Sequence, residues 1–211
     1  ACRTFNANEL EAAVDYLATV DGPYVLKADG LAAGKGVVIL DTLAEAQQEM
    51  RSMLGDAKFG AASSRVVVEE FLAGMEFSVF AVTDGKSAVI LPEAKDYKRI
   101  GEGDQGPNTG GMGAVSPVPL FDEAMQKQVM SRIIEPTIEG LAKDGLPYKG
   151  FLFFGLIDVE GEAMVIEYNC RMGDPETEVV MARLDEDFLP ILRDAGNGKL
   201  TNRVARQSKQ S

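Results

Sequence analysis

Tyr24-Val-Leu-Lys27-Ala-Asp-Gly30-Leu-Ala-Ala-Gly34-Lys35-Gly36-Val-Val-Ile-Leu40 decides how the rest of this sequence is read. Two short apolar runs flank a turn rich in glycine and alanine, which predicts a strand, a turn and a second strand. Lys27 falls inside the first strand, and Lys35 falls between two glycines of the turn. Glycines let backbone N–H groups come close to an anion, and lysine supplies the charge a polyphosphate needs. The phosphate-binding P-loop is the obvious comparison, and it fails on spacing. It needs four residues between its glycines, Ser or Thr after the lysine, and then a helix. Here three residues, Leu31 to Ala33, separate Gly30 from Gly34, Gly36 follows Lys35, and a β-branched apolar run comes next. The stretch reads as a hairpin that folds over phosphates or, taken alone, as a glycine-rich hairpin with a solvated lysine.

A chain of 211 residues, 45% of them hydrophobic, can bury a substantial core and allows one domain or two small ones. No apolar run approaches the length of a membrane span and the N-terminus has no signal pattern, so no membrane partner is expected. A formal charge of −12 argues against non-specific binding of nucleic acid. Two cysteines, Cys2 and Cys170, are too few for a disulfide framework and fit a reducing cytoplasm. The absence of histidine removes every mechanism that uses a His base, nucleophile partner or metal ligand. Chemistry here falls to carboxylates, lysines, arginines and a hard metal.

Along the chain, Asn8 to Val20 has helical spacing, with Asn8 as N-cap and Glu11 closing a capping box. Thr42 and Glu45 cap a second helix running to about Leu54. Val66–Phe71, Phe77–Val82 and Ala88–Leu91 read as strands, the last two joined by an Asp84-Gly85 turn. From Pro92 to Pro119 the pattern is lost, and the stretch reads as a long functional loop. Helical spacing returns from Asp122 to about Leu141, interrupted at Pro136. Phe151–Asp158 and Ala163–Asn169 are strands, Asp174-Pro175 opens a helix through Leu184, and Phe188–Ala195 is another. The tail from Gly196 is polar and basic and is expected to be loosely ordered. Strands and helices alternate without a strict β-α-β rhythm, so the fold class is α+β.

Two further stretches carry chemistry. In Val66-Val-Val-Glu69-Glu70-Phe71-Leu72, followed by Gly74-Met-Glu76, a strand ends in an acid pair. Its backbone suits the edge of a purine, and an acid a few residues on suits ribose hydroxyls; an edge strand with solvated glutamates explains it equally well. Glu167-Tyr-Asn169-Cys-Arg171 is sharper, because alternation in a strand puts Glu167, Asn169 and Arg171 on one face and Tyr168 and Cys170 on the other. A carboxylate and an amide oxygen two residues apart are hard ligands for Mg²⁺, and arginine meets phosphate bidentately. The same alternation turns Cys170 toward packing as a structural thiol. Lys95-Asp96-Tyr-Lys98-Arg99 and Gly106-Pro-Asn108-Thr-Gly-Gly-Met-Gly113 lie in the long loop, and each alone is a weak signal.

Together Lys27–Val37, Glu69–Leu72, Gly106–Gly113 and Glu167–Thr177 resemble the phosphoribosylamine–glycine ligase family, the ATP-grasp enzymes of de novo purine synthesis. The resemblance runs in order from about residue 3 to about residue 195, and its last two motifs separate this family from other ATP-grasp ligases. It implies an α+β ATP-grasp fold whose two subdomains grip ATP–Mg between them. Residues 1–73 would be the small lid subdomain, 74–195 the large one, and 196–211 the loose tail. It implies that Lys27 and Lys35 hold phosphates, that Glu69, Glu70, Phe71 and Leu72 form the adenine hinge, and that Glu76 takes the ribose. Glu167 and Asn169 would bind Mg²⁺ or Mn²⁺, and Arg171, with Lys35, would meet the transferring phosphoryl group. Asp96, Lys98, Asn108 and Asp174 would face glycine and 5-phosphoribosylamine, joined through a glycyl phosphate. The family pattern also includes an amino-terminal domain with a further phosphate-binding lysine, and a carboxy-terminal domain. Neither is found here, so the sequence reads as a central portion expected to bind nucleotide without turnover. Related ligases often carry an additional acid on the strand before the metal ligands, where Gly155-Leu-Ile157 is apolar. A nucleotide-binding module and a different ATP-grasp ligase are the rival readings; the Asn108–Gly113 and Gly173–Thr177 motifs weigh against the second.

Overall fold

The computed structural model describes residues 2–30, 32, 36–103 and 105–208, with residues 107, 108 and 110 described by backbone alone. The chain divides into two compact units, Ala1–Leu72 and Ala73–Ser211.

The first unit is a four-stranded antiparallel sheet in the order β1 (Cys2–Asn6), β4 (Arg65–Glu69), β2 (Tyr24–Ala28), β3 (Val37–Leu40). The quoted hairpin is β2–β3, with Tyr24 opposite Leu40 and Lys27 opposite Val37. Helices α1 (Leu10–Leu17) and α2 (Leu43–Met50) cover one face, where Phe5, Leu26, Val66 and Val68 meet Ala13, Leu17, Ala46 and Met50. The predicted box at α2 is present: Glu45 N–H donates to Thr42 Oγ1 at 3.3 Å and Thr42 N–H to Glu45 Oε2 at 3.2 Å. At α1 the box sits earlier than expected. Asn6, not Asn8, donates through its backbone N–H to Glu9 Oε2 at 2.9 Å. Asn6 closes β1, so the chain must turn there at once, and a short 3-10 turn precedes the helix. The strand at 66–71, read as a possible edge, is the interior β4, flanked by β1 and β2. Strand β1, which the sequence reading missed, supplies that flank.

The second unit is built on a five-stranded sheet in the order β10 (Glu162–Asn169), β9 (Gly150–Val159), β5 (Met75–Thr83), β6 (Ala88–Ile90), β11 (Arg203–Val204). Helices α3 (Glu123–Val129) and α4 (Glu135–Lys143) cover one face, packing Val129, Ile134 and Ile138 on Phe77, Val79, Phe154 and Leu156. Helices α5 (Glu176–Arg183) and α6 (Phe188–Asn197) cover the other, packing Val180, Ile191 and Ala195 on Phe80, Val82 and Phe153. Burial on both faces is why β5 and β9 read as nearly unbroken apolar runs. Pro136 does not end its helix. A π-helical turn at Met130–Ile134 precedes it, so the proline begins α4, where its missing N–H costs nothing.

The long loop and the loose tail expected in this unit are both corrected by the structure. Residues 92–119 are not an irregular loop: β7 (Lys95–Gly101) and β8 (Gln105–Val115) pair as a long antiparallel arm. It leaves Tyr97, Ile100 and Met112 exposed and carries two register shifts, so no period of two is imposed on its sequence. The tail is not loose over its described part either. Arg203–Val204 pair in parallel with Val89–Ile90, and Leu200 N–H donates to Asp84 Oδ2 at 3.0 Å. A two-residue strand carries no hydrophobic pattern to announce it.

Candidate active site

In the first unit, alternation along β2 sends Leu26 and Ala28 toward the helices. Val25 and Lys27 lie on the other face, level with Ile39 and Val37 of β3. Lys27 Nζ stands 2.7 Å from Glu69 Oε2 on the neighbouring strand β4, with the lysine side chain 17% exposed. The Glu69 carboxylate therefore holds the lysine. Glu70 and Phe71 are exposed and Leu72 is half-buried. Lys35 lies outside the described residues.

In the second unit, Glu167 and Asn169 share one face of β10, and Asn169 Nδ2–H donates to Glu167 Oε1 at 3.3 Å. A bulge between Val165 and Glu167 shifts the register of β10 against β9 just before this pair. Gly155 pairs with Glu167 across β9, and a Cβ there would lie 2.9 Å from Glu167 Cγ. The apolar residue at 155 is thus the room that the Glu167 side chain occupies. Among the described residues, no group of three His, Cys, Asp or Glu could hold a metal by protein ligands alone. One carboxylate and one amide suit Mg²⁺, which takes its remaining ligands from phosphate and water. Glu76 is exposed on β5.

Tyr168 turns to the opposite face, its ring edge-on to Phe154 at 5.6 Å. Strand β10 ends at Asn169, and Cys170 and Arg171 lie in the bend that follows. Cys170 is exposed, which corrects the packed-thiol expectation; it borders a shallow groove of about 540 Å³ with Arg132, Thr137 and Tyr168. Arg171 sits in a bend, where Nη1–H donates to Met172 O at 2.9 Å.

On the arm, Lys98 Nζ lies 3.7 Å from Asp96 Oδ2, and the Asp96 side chain is only 6% exposed. Thr109 Oγ1–H donates to Lys98 O at 2.7 Å and Gly111 N–H donates to Thr109 Oγ1 at 3.1 Å, which fixes the two strands locally. Asn108 pairs opposite Arg99. Asp174 is exposed and does not cap α5; Pro175 holds the cap position.

Glu176, which the sequence reading passed over, is 3% exposed. Its carboxyl lies against Gly173, where a Cβ would come within 2.6 Å of Glu176 Cδ. Burial, above all, raises its pKa, and the Asp96 charge adds to this. Its own backbone N–H, Lys98 and Arg171 pull the other way without cancelling the rise. Asp96, Lys98, Arg171 and Glu176 thus form one charge cluster. Helical spacing held the signal: Glu176, Val180 and Arg183 fall at i, i+4 and i+7 on one face of α5, the buried one.

These two units, with a lysine on a hairpin sheet and a carboxylate–amide pair on a second sheet, form the ATP-grasp fold. In fold alone the chain is similar to the biotin carboxylase domain of Hydrogenobacter thermophilus 2-oxoglutarate carboxylase, solved with MgADP (TM-score 0.67, 17% identity, 93% of this chain and 42% of that one). The phosphoribosylglycinamide synthetase ATP-grasp (A) domain matches residues 1–177, and the chain belongs to that family. It is 50% identical over 193 residues to phosphoribosylamine–glycine ligase of Xanthomonas axonopodis pv. citri (strain 306), covering 91% of this chain and 45% of that protein. It is 46% identical over 201 residues to the Salmonella typhimurium (strain LT2) ligase, covering 95% and 47%. The Thermotoga maritima phosphoribosylamine–glycine ligase structure superposes with a TM-score of 0.86 at 39% identity, over 98% of this chain and 52% of that one. The chain spans about half the length of the relatives it matches.

Proposed function

We propose that this chain is the ATP-binding portion of an ATP-dependent carboxylate–amine ligase that joins glycine to 5-phosphoribosylamine. The observation that carries the reading is the Glu167–Asn169 pair on one strand face, with Gly155 clearing space for the carboxylate. ATP binding falls to Lys27 and the 69–72 segment, with Glu76 for the ribose. Lys27 arrives held by Glu69, so its ammonium is already placed before phosphate reaches it. Glu167 and Asn169 would hold Mg²⁺ or Mn²⁺, which supplies charge neutralisation for the phosphates when bound. Transfer of the terminal phosphoryl group to the glycine carboxylate gives a glycyl phosphate. Arg171, together with Lys35, offsets the charge on the moving group, which needs positioning more than covalent help. The Asp96–Lys98 pair, Asn108 and Asp174 receive glycine and the amine, whose attack on the acyl carbon expels phosphate and forms the C–N bond. Lys98 and Arg171 give the region cationic groups suited to a carboxylate and a sugar phosphate.

The test is made in a full-length phosphoribosylamine–glycine ligase relative carrying this chain in place of its matching segment, by mass-spectrometric detection of glycinamide ribonucleotide. Glu167→Gln keeps the size of the ligand and removes its charge, so turnover falls by roughly two powers of ten or more while melting is unchanged. Tyr168→Phe, on the opposite face, stays within a few-fold of the parent. Equal inactivity of the two variants, both folded, would overturn the facial assignment and the metal site with it.

A further inference from the structure

Arg183 ends helix α5 with a side chain only 7% exposed, facing Glu93 at 4%. A buried guanidinium costs several kcal/mol in lost hydration unless most of its N–H groups are engaged. Here Nη1–H donates to Glu93 Oε1 at 3.1 Å and to Ser116 Oγ at 2.8 Å. Nη2–H donates to Gln207 Oε1 at 3.3 Å and Ser208 O at 3.0 Å, and Nε–H donates to Ser208 O at 3.3 Å. Glu93 stands just before β7 and Ser116 just after β8, so the arginine grips both feet of the β7–β8 arm. The feet are also tied to each other: Ser116 Oγ–H donates to the Glu93 carbonyl, and Val118 N–H donates to Glu93 Oε1 at 2.9 Å.

The other end of α5 also meets the arm. A Cβ at Gly111 of β8 would lie 2.5 Å from Pro175 Cδ, so backbone and ring are in close approach there. Beside that contact Glu176 faces Asp96 and Lys98 of β7. The helix is therefore joined to the arm at both ends, rigidly by the arginine and by close packing at the proline. An apolar pair in place of Arg183 and Glu93 would fill the same space without burying charge, leaving only Val118 N–H to find another acceptor. Apolar packing would not, however, commit three chain segments to particular atoms, which a fully engaged guanidinium does.

The geometry points to Arg183 as a positioning residue: locked to both feet of the arm, it sets where Asp96 and Lys98 stand relative to Asp174 and Glu176. The role assigned to Asp96, Lys98 and Asp174 rests on the proposed function; the brace itself does not. Residues 207–208, at the end of the described chain, complete the lock.

Two variants separate positioning from plain stability. Arg183→Met leaves the Glu93 charge buried and unpaired, so the melting temperature falls. Arg183→Met with Glu93→Gln removes both charges and keeps an oxygen for Val118 N–H, so melting returns to within a few degrees of the parent. The expected result is that hydrogen exchange at residues 95–101 and 111–115 is about tenfold faster or more in both variants of the 211-residue chain, at a protection loss of about 1.4 kcal/mol. In a full-length relative carrying this chain in place of its matching segment, KM for glycine and for 5-phosphoribosylamine rises about tenfold in the double variant, while KM for ATP stays within about twofold. Exchange that recovers together with melting overturns the positioning role. Faster exchange with unchanged KM for both acceptor substrates supports the brace and overturns the acceptor reading of the arm.

Discussion

Glu176 and Asp84 are both buried carboxyl groups, and their surroundings send them in opposite directions. Burial dominates at Glu176 and, with Asp96, lifts its pKa above the usual 4.5. A carboxyl that holds its proton more tightly when folded contributes stability below its unfolded pKa and loses that contribution as pH rises through the folded value. Glu176→Gln is therefore expected to melt higher than the parent at pH 7.5, with the gap closing toward pH 4. Thermal melts across that range decide it, and a variant that gains nothing at pH 7.5 contradicts the assignment. At Asp84, burial pushes the pKa up, but N–H donors from Ser87, Lys86 and Leu200 and the charge of Lys149 bring it below 3.8. Its contribution is present at neutral pH and is lost as pH falls through the folded value. Asp84→Asn should cost roughly 1–3 kcal/mol at pH 7, through weakened donors to the turn and to Leu200, and less in acid. Denaturant titration at pH 7 and pH 3 measures the difference.

At the scale of elements, the β9–β10 pair shows how a strand's partner shapes a site. Gly155 looks like a missing acid in sequence, but it is the clearance for Glu167 across the ladder. Gly155→Ala puts a methyl group against Glu167 Cγ and turns the carboxylate off its face. Magnesium-dependent nucleotide affinity should then drop by roughly tenfold or more while the fold survives, since β9 is covered on both sides. Nucleotide binding titrated with and without Mg²⁺ tests this; an unchanged magnesium effect would show that the glycine serves packing alone. The Thr42–Glu45 capping box, the β2–β3 hairpin and the Glu167–Asn169 alignment were legible because each depends on residues a few positions apart. The arm was not. Its strands are paired only with each other and are exposed, so glycine, proline and charge are tolerated and the pattern resembles a loop.

For the whole molecule, the chain carries the family's ATP-binding motifs yet spans about half the length of its relatives. ATP with Mg²⁺ is expected to raise the melting temperature of the 211-residue chain, and ATP with a chelator to raise it less. A ligand at a hundred times its Kd stabilises by about 2.7 kcal/mol, which is readily measured. No glycinamide ribonucleotide is expected from the isolated chain, and steady product formation by it would contradict that. Glu93 and Arg183 are 90 residues apart, so their joint burial belongs to this scale as well.

What the sequence determined by itself follows from local geometry. Alternation assigns Glu167 and Asn169 to one face wherever the strand is placed, and a Thr42-x-x-Glu45 box starts a helix whatever covers it. Tertiary structure decided which faces are buried and where alternation stops. It made β1 and β11 strands by giving them partners, left Cys170 exposed just past the end of β10, and buried Glu176 and Arg183 against the arm. A residue's periodicity fixes the direction it points, whereas the charge and burial it meets come from segments that only folding brings there.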